Sequence, residues 1–433
     1  MNYQSHRCKI FNDPIHGHIQ IHPACVAIID TEQFQRLRNL KQLALCYFIY
    51  PGASHNRFEH CIGVSHLAGQ LVRAIRSGQP DLEITDKDVL CVEIAGLCHD
   101  LGHGPFSHLF DSHFMPSASQ SGEQWKHEMG SVQMFEYLLD VNGLMQENGA
   151  LRKAGLNETD IEFIKEQIYG PLPHNRSNNA IYGGSWPYKG RPEEKGFLYE
   201  VVANKRNNID VDKWDYLSRD SYHLGIANSF DHQRIIHCAR VLKEGNEWQI
   251  CVRDKVVDDI YEMFLTRYKL HQSAYQHKVN LALEIMMTDA LLAADSQLHL
   301  LMSVGDCEGI SKISDCVKDM KCFQRLHDGI MHRILDSTSP ELELSRSIIK
   351  RILRRNLYSC VAESQSINHL KLKYSRTQIE NRLLEIANQK FGGVLSAQDF
   401  CVRIPRWDFG MGQRNPISEL KVYRSIFVKK YNS

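Results

Sequence analysis

Histidine and aspartate are concentrated in one stretch of the chain, and their arrangement is typical of a metal site. Eight of the 22 histidines lie between positions 55 and 127. His60 falls within one predicted helix, the adjacent pair His99 and Asp100 ends a second, and Asp212 begins a later one. Imidazole nitrogens and carboxylate oxygens suit Fe, Mn, Zn or Ni, and two of each leave coordination positions open for hydrolysis.

The segment HDLGHGPFSHLFD carries further titratable groups. His103 lies four residues after His99, and Asp111 lies three residues after His108. A lone histidine is more often a hydrogen-bonded core residue, and we expect the second His-Asp dipeptide, at 327–328, to be structural. A packed core disfavours so many titratable groups close together, because each must be desolvated and paired. The density therefore favours a functional site.

Hydrophobic periodicity predicts the helices that must position these residues. The run FEHCIGVSHLAGQLVRAIRS has one apolar stripe at helical spacing, which turns His60 inward. Thr85 is the expected N-cap of the next helix, which ends before Gly102 and Gly104. Further predictions are a helix over 31–50 with Thr31 as its N-cap, a helix beginning near Asp210, a hairpin around 244–246, a long helical region over about 256–301 and a basic helix over 345–357.

Composition limits the class of protein. The 433 residues include 51 Lys+Arg and 51 Asp+Glu, 43% hydrophobic and 24% charged residues, which indicates an ordinary globular protein and disfavours a general nucleic-acid coat. The 13 cysteines include no Cys-x-x-Cys, so we expect reduced, mostly buried thiols rather than a zinc ribbon or a disulfide framework. We expect no leader, no membrane span and an intracellular location, cytoplasmic or nuclear.

The candidate metal residues resemble the H…HD…D pattern of HD-domain metal-dependent phosphohydrolases. Six longer blocks, NDPIHGHIQIHP, DTEQFQRLR, PGASHNRFEH, CHDLGHGPFSH, IDVDKWDY and AYQHK, resemble the catalytic core of the animal sterile-alpha-motif and HD-domain dNTP triphosphohydrolases. The resemblance is dense from about Arg7 to Asp295 and thinner afterward. We expect the chain to be this core without the sterile-alpha-motif domain.

The resemblance implies a mainly α-helical HD-domain core with a small β-hairpin and a short mixed α/β C-terminal lobe. Its expected parts are an N-terminal segment, 1–54, with activator-site and subunit contacts, a phosphohydrolase core, 55–340, and a regulatory-like lobe, 341–433. The implied activity converts a dNTP to deoxynucleoside and triphosphate, in dNTP metabolism and antiviral defence. Two alternatives stay open: an HD phosphohydrolase acting on another nucleotide, and a non-catalytic scaffold that binds nucleotides or nucleic acid.

The resemblance also implies a role for each matching residue. The divalent metal, Fe, Zn or Mn, would be held by His60, His99, Asp100 and Asp212, with Mg accompanying the triphosphate. The acid/base cluster would be His103, His108, Asp111 and His127, with His108 as the general acid toward the 5′ oxygen. Substrate would bind Gln42, Leu43, Arg57, Lys213, Tyr216, Asp220, Arg267, His271, Tyr275 and Gln276. Among these, Arg57, Lys213 and Arg267 would bind phosphate, and Tyr275 would exclude the ribose 2′-hydroxyl.

The family also has nucleotide activator sites between subunits, which imply a homo-oligomer, a dimer or a tetramer, and activation by GTP and dNTP. The matching residues are Lys9, Ile10, Asn12, Asp30, Gln35, Arg38, Ile49, Tyr50, Asp231, Arg234, Arg253, Lys255, His277, Lys278 and Arg355. Ser273, Ser359 and Ser425 stand where the relatives have basic residues, so we expect weakened, altered or lost activation unless nearby arginines compensate.

Overall fold

The structure, a computed structural model, describes residues 8–118, 125–173, 186–245, 247–302, 307, 309–363, 375–393, 396, 399–404 and 415–424. The first part of the chain contains β1 (Lys9–Asp13), β2 (Gly17–Ile21), α1 (Pro23–Ile29), α2 (Glu32–Gln35), α3 (Arg57–Gly78), α4 (Asp86–Cys98), α5 (Met115–Ala118), α6 (His127–Val141), α7 (Ala150–Lys153), α8 (Glu158–Tyr169), α9 (Val211–Leu224) and α10 (His232–Cys238). The remainder contains β3 (Ala239–Glu244), β4 (Glu247–Arg253), α11 (Val257–Leu270), α12 (Lys278–Ala294), α13 (Leu298–Leu301), α14 (Met320–Phe323), α15 (Ile330–Asp336), α16 (Glu343–Leu353), α17 (Arg376–Phe391), α18 (Pro416–Glu419) and β5 (Val422–Tyr423).

Short helical turns connect many of these elements. Those of 3₁₀ type are Arg36–Asn39, Cys46–Phe48, Pro80–Leu82, Glu193–Glu200, Asp254–Val256, Asp295–Gln297, Ser314–Lys318 and Pro340–Leu342. Two π-helical turns, Phe110–Phe114 and His271–Tyr275, interrupt the regular pattern. The mainly helical class with a small hairpin is therefore confirmed. No helix in the described part of the chain combines the length and apolar character that crossing a bilayer requires.

Helices α3 and α4 pack against each other and carry the predicted metal ligands toward one end. The apolar stripe of α3, from Val64 to Ile75, is buried as the periodicity predicted. Helix α4 begins with a capping box, in which Thr85 Oγ1 accepts from the Asp88 amide and the Asp88 carboxylate accepts from the Thr85 amide. The cap fixes where α4 begins, and the packing of α3 on α4 brings the His60 and His99 rings to 5.1 Å between centroids.

The strands form two small sheets. Strands β1 and β2 are an antiparallel hairpin in which Lys9 pairs with Ile21 and Asp13 with Gly17. The hairpin predicted around 244–246 is confirmed as β3 and β4, and β5 joins β4 in parallel at Val252↔Val422. Helix α16, which follows residue 341, packs on α12, which precedes it. The expected boundary between a core and a C-terminal lobe at 341 therefore stays a prediction.

The helix predicted over 31–50 is wrong beyond its first turns. Thr31 does cap α2, and its Oγ1 accepts from the Phe34 amide at 3.3 Å. The chain then extends at Leu40, and Lys41 forms a bridge with Asn56. Ala44 has a positive φ of 47°, which an α-helix does not allow. Tertiary contacts of Lys41 thus overrode the apolar spacing of this segment.

The expectation that all cysteines are reduced is wrong at one pair. Cys307 and Cys322 form a disulfide, and their Cα atoms are 4.9 Å apart. Ser314 lies between these two cysteines in sequence, and its amide and hydroxyl donate to the Asp295 carboxylate. Eight of the free cysteines are buried, as predicted for unreactive thiols.

Asp328, of the second His-Asp dipeptide, anchors two loops. Its carboxylate accepts from the Phe106 amide at 2.6 Å and from the Lys41 amide at 2.8 Å. Burial raises its pKa to about 6. These contacts are consistent with the expectation that this dipeptide has a structural role.

Replacing Asp328 with Ala is expected to lower the free energy of unfolding by about 2 kcal/mol, because two backbone donors lose their acceptor. Urea unfolding followed by circular dichroism measures the change. Asp336→Ala, at an exposed position of α15, is the control and is expected to leave stability unchanged. Equal stabilities of the two variants would contradict the anchoring role.

Candidate metal centre and active site

His60, His99 and Asp100 converge at one end of α3 and α4. One ligand atom from each lies within 4.8 Å of the others. Asp212, on the first turn of α9, completes the group, with its Oδ1 3.0 Å from His60 Nε2 and 3.4 Å from His99 Nε2. The structure thus brings together the four residues that the sequence singled out as metal ligands.

The donor atoms of this cluster fit a divalent metal. His99 Nε2 is buried and has no hydrogen-bond partner among the described residues, while His99 Nδ1 donates to the Gly96 carbonyl oxygen at 2.8 Å. The ring is therefore fixed with its unshared nitrogen toward Asp100 and Asp212. Two imidazole nitrogens and two carboxylates are the hard and intermediate ligands that Fe, Mn and Zn accept.

Electrostatics at the cluster favour positive charge. Burial opposes protonation of His60, but the carboxylates of Asp212 and Asp215 outweigh it and raise the pKa of His60 to about 9. The pKa of His99 is also raised, because Asp100 and Asp212 outweigh burial. Asp100 itself is held ionised, since Arg57, His99 and His103 outweigh burial and lower its pKa. The carboxylates of the cluster therefore favour a bound cation between them.

A second cluster of histidines lies beside the first. The rings of His103 and His127 stack with their centroids 4.0 Å apart, and His108 meets both edge-on. Asp111 accepts from His127 Nδ1 at 2.6 Å and lies 3.6 Å from His108 Nδ1. His103 Nε2 is 3.3 Å from Asp100 Oδ1, so the two clusters adjoin. These four residues also have the geometry of a metal-binding group.

Backbone strain places His108 at this cluster. Phe106 and Ser107 both have positive φ, 61° and 54°, a region that non-glycine residues rarely adopt. Ser107 Oγ donates to the Lys41 carbonyl oxygen and accepts from Arg57 Nε, which holds the loop in place. The π-helical turn that follows carries Asp111, and such turns are frequent at functional sites.

Gly102 allows α6 to approach the metal cluster. A Cβ at this position would lie 2.2 Å from the His127 carbonyl oxygen and 2.2 Å from the Ser131 amide. Instead, the Gly102 amide donates to Ser131 Oγ at 2.9 Å. His127, the first residue of α6, is brought to His103 by this close contact.

The candidate phosphate ligands lie near both clusters. Lys213 is buried, with its Nζ 3.8 Å from Asp210 Oδ1. Burial lowers the pKa of Lys213, but the charge of Asp210 outweighs burial and raises it, so the ammonium stays charged. Arg267 Nη1 donates to the Tyr216 hydroxyl at 3.0 Å. Arg57 is already paired with the Asp100 carboxylate. A cavity of about 160 Å³ has His99, Asp100, His127, Lys205, Asp212 and Lys213 in its lining.

Tyr275 closes the other side of the candidate pocket. Its hydroxyl donates to Asp220, whose other oxygen accepts from His55 Nε2 at 2.6 Å. The backbone amide of Gln42 donates to the His55 carbonyl oxygen at 3.1 Å, and the neighbouring Leu43 packs against the core. Gln42 Oε1 is buried without a partner among the described residues, which leaves an acceptor for a ligand.

His271 lies beside Tyr275 in the candidate pocket. Its ring centroid is 4.7 Å from that of Tyr275, and its Nδ1 accepts from Gln276 Nε2 at 3.3 Å. Burial, followed by the positive charges of Arg267 and His108, lowers the pKa of His271 to about 3. His271 is therefore neutral at physiological pH, with one ring nitrogen able to accept a hydrogen bond.

The candidate activator residues form three groups. The first contains Lys9, Ile10, Asn12, Asp30, Gln35 and Arg38, the second Asp231, Arg234, Arg253 and Lys255, and the third Ile49, Tyr50, His277, Lys278 and Arg355. In the first group Lys9 Nζ lies 3.0 Å from Asp30 Oδ1, and in the second Arg234 Nη2 donates to the Lys255 carbonyl oxygen. In the third, the Tyr50 hydroxyl donates to the Ser273 carbonyl oxygen. Ser359 is exposed, whereas Ser425 lies outside the described residues.

Three residues at the site escaped the sequence analysis. Asp215 accepts from His60 Nδ1, His16 contacts Asp215 from the N-terminal hairpin, and His55 contacts Asp220. A signal for Asp215 was present, since it lies three residues after Asp212 and so shares its helix face. Nothing in the spacing of His16 indicates its partner, which is 199 residues away.

The comparisons with known proteins agree with this geometry. The HD domain family matches residues 57–220, the span that carries all four candidate metal ligands, so the chain contains an HD domain. It is 50% identical to the deoxynucleoside triphosphate triphosphohydrolase SAMHD1 of Homo sapiens and to that of Bos taurus, and 40% identical to the SAMHD1 homolog of Dictyostelium discoideum, each over 96% of this chain. The chain belongs to this SAMHD1 family.

The matches cover only part of the relatives. This chain spans 65% of the length of the human relative, 69% of the bovine one and 71% of that from Dictyostelium. The catalytic assignment therefore depends on the residues described above.

Replacing Asp111 with Asn is expected to lower the pKa of His127. Burial lowers this pKa, but Asp111 and Glu128 outweigh burial and hold it above its ordinary value. Without the Asp111 charge, we expect the pKa to fall below about 6.5, as measured by an NMR titration with the His127 signal assigned from a His127→Gln spectrum. Asp140→Asn, on the exposed face of α6, is the control, and an unchanged pKa in D111N would contradict the pairing.

Proposed function

We propose that this chain is a metal-dependent dNTP triphosphohydrolase that releases deoxynucleoside and intact triphosphate. The observation that carries the proposal is the convergence of four metal-type ligands beside a separate His/Asp cluster and buried cations. The family relatives bear the name of this activity. A bound divalent metal would supply Lewis acidity toward a phosphate ester. Its identity, Fe, Zn or Mn, is a matter for metal analysis, with Mg accompanying the triphosphate.

The residues divide the reaction between them. His60, His99, Asp100 and Asp212 hold the metal. Lys213 and Arg267 neutralise the triphosphate, and Arg57 both orients Asp100 and faces phosphate. His108, 65% exposed in its side chain, is free to reach the departing 5′ oxygen and donates its proton there. Asp111 orients His108 and is itself held by His127, while His103 separates this group from the metal.

The sugar pocket selects deoxyribose by close packing. The Tyr275 side chain is fixed by its hydrogen bond to Asp220 and by the His271 ring. An aromatic ring held in this way leaves no room for an added 2′-hydroxyl. Gln42, Leu43, Tyr216 and Gln276 complete the pocket around the nucleoside.

The three activator groups are proposed to be halves of nucleotide sites between subunits of a homodimer or homotetramer. Several of their side chains are exposed, including Ile10 at 64% of its surface. Ser273 and Ser359 offer no charge to a polyphosphate, so activation by GTP or dNTP is weaker than in relatives with basic residues there. Arg351, in the last turn of α16, and Arg354, its C-cap, supply part of the missing charge.

The His108→Ala variant is expected to lose at least about 100-fold in turnover of dATP while retaining its metal, since general acid catalysis contributes roughly 10²–10⁴-fold. His60→Ala is expected to lose both metal and turnover. Steady-state rates and metal content by mass spectrometry measure the two effects. His299→Ala, at an exposed site on α13, is the control. Normal turnover by H108A would overturn the general-acid assignment.

Tyr275→Ala is expected to admit ribonucleoside triphosphates, because it removes the ring that meets the 2′ position. The quantity to measure is the ratio of kcat/KM for dATP to that for ATP, which should fall by about 10-fold or more. Tyr261→Ala, 55% exposed on α11, serves as the matched aromatic control. If Y275A keeps the wild-type ratio, Tyr275 is a packing residue.

A further inference from the structure

Asp215 lies between the metal ligand His60 and the N-terminal hairpin, and no solvent reaches its side chain. His60 Nδ1 donates to Asp215 Oδ2 at 2.7 Å, and His16 Nε2 donates to Asp215 Oδ1 at 2.7 Å. The two oxygens of one buried carboxylate therefore join a residue of α3 to a residue of the turn between β1 and β2.

The contact with Asp215 determines how His60 faces the metal site. When Nδ1 carries the hydrogen and donates to Asp215, Nε2 has its lone pair available toward Asp100 and Asp212. His60 Nε2 lies 3.6 Å from Asp100 Oδ2 and 3.0 Å from Asp212 Oδ1. A rotation of the Asp215 carboxylate would move this nitrogen out of the cluster.

Asp215 is fixed in turn by Arg219 and by the hairpin. Arg219 donates to both Asp215 oxygens at 2.9 Å and to Asp13 Oδ2 at 2.9 Å. The other oxygen of Asp13 accepts from the amides of Ile15 and His16, so Asp13 also shapes the turn that carries His16. The hairpin thus reaches Asp215 by two buried routes, one direct and one through Arg219.

Glycine at position 63 makes room for the Asp215 carboxylate. A Cβ at Gly63 of α3 would lie 1.9 Å from Asp215 Oδ1 and 2.5 Å from Arg219 Nη2. Glycine at this position lets α3 and α9 approach until the carboxylate meets His60. On the far side, the His16 ring packs 5.6 Å from the ring of His66 and 5.6 Å from that of His232.

We propose that His16 and Asp13 are positioning residues for the metal centre. They orient His60 through Asp215 and Arg219, so that the attachment of the N-terminal hairpin sets the affinity of the site for its metal. The proposal rests on the proposed function only in taking His60 as a metal ligand. It adds a dependence of that site on a segment that contributes no ligand itself.

The test measures Co²⁺ binding by the full chain after removal of bound metal, using the visible absorption bands of the bound ion. In His16→Phe the ring shape is largely kept and the hydrogen-bond donor is lost. We expect about 10-fold weaker Co²⁺ binding and an altered band pattern, the effect typical of residues that orient a metal ligand. His16→Gln restores a donor and is expected to recover most of the affinity.

The control is His18→Phe, an exposed position on β2 of the same hairpin, which is expected to bind Co²⁺ as the wild type does. Equal affinities of H16F, H16Q and wild type would overturn the proposal, as would equal weakening of H16F and H18F. If circular dichroism shows H16F to be unfolded, Asp13→Asn takes its place, because it removes the charge that Arg219 contacts. Co²⁺ affinity of D13N equal to that of H18F would then overturn the proposal. Wild-type binding by His60→Ala would instead refute the metal site of the proposed function.

Discussion

The site depends on burying more carboxylate charge than its own arginines neutralise. Asp100, Asp212 and Asp215 converge on His60, and Arg57 and Arg219 each pair with only one of them. The remaining negative charge raises the pKa values of His60 and His99, so that protons occupy the position a metal would take. A divalent cation satisfies the same carboxylates and leaves both imidazoles neutral. The surrounding helices serve to hold this charge away from water.

Local departures from regular helix geometry bring the catalytic groups to this charge. Regular helices α3, α4 and α9 supply the metal ligands at or near their ends. Within the acid/base cluster, His108 instead follows two residues with positive φ, and Asp111 lies on the π-helical turn Phe110–Phe114. A second π-helical turn, His271–Tyr275, carries two residues of the candidate sugar pocket. The regular helices thus position the metal ligands, and the irregular turns orient side chains of the acid/base cluster and of the candidate sugar pocket.

Much of this arrangement is predictable from the sequence, because local physics determines it. The apolar stripe of α3, the capping box of α4, the N-cap of α9 at Asp210 and the hairpin of β3 and β4 all follow from nearby residues. The segment after α2 was predicted as helix and is wrong, because Lys41 is held by Asp328, 287 residues away. His16 cannot be assigned from the sequence for the same reason, since its partner Asp215 is 199 residues away. Residue types reveal which groups do chemistry, but not which buried partner orients them.

The products of dATP show most directly whether the metal centre and the His/Asp cluster cleave dNTPs at the α-phosphorus, as proposed. Metal-stripped protein is reloaded with Mn²⁺, incubated with dATP with and without GTP, and the products are separated by anion-exchange chromatography. The expected products are deoxyadenosine and triphosphate in equal amounts, formed only by the reloaded protein. Orthophosphate or pyrophosphate as the product would indicate a different nucleotide phosphohydrolase, and no product under either condition would indicate a non-catalytic scaffold; either result would contradict the account.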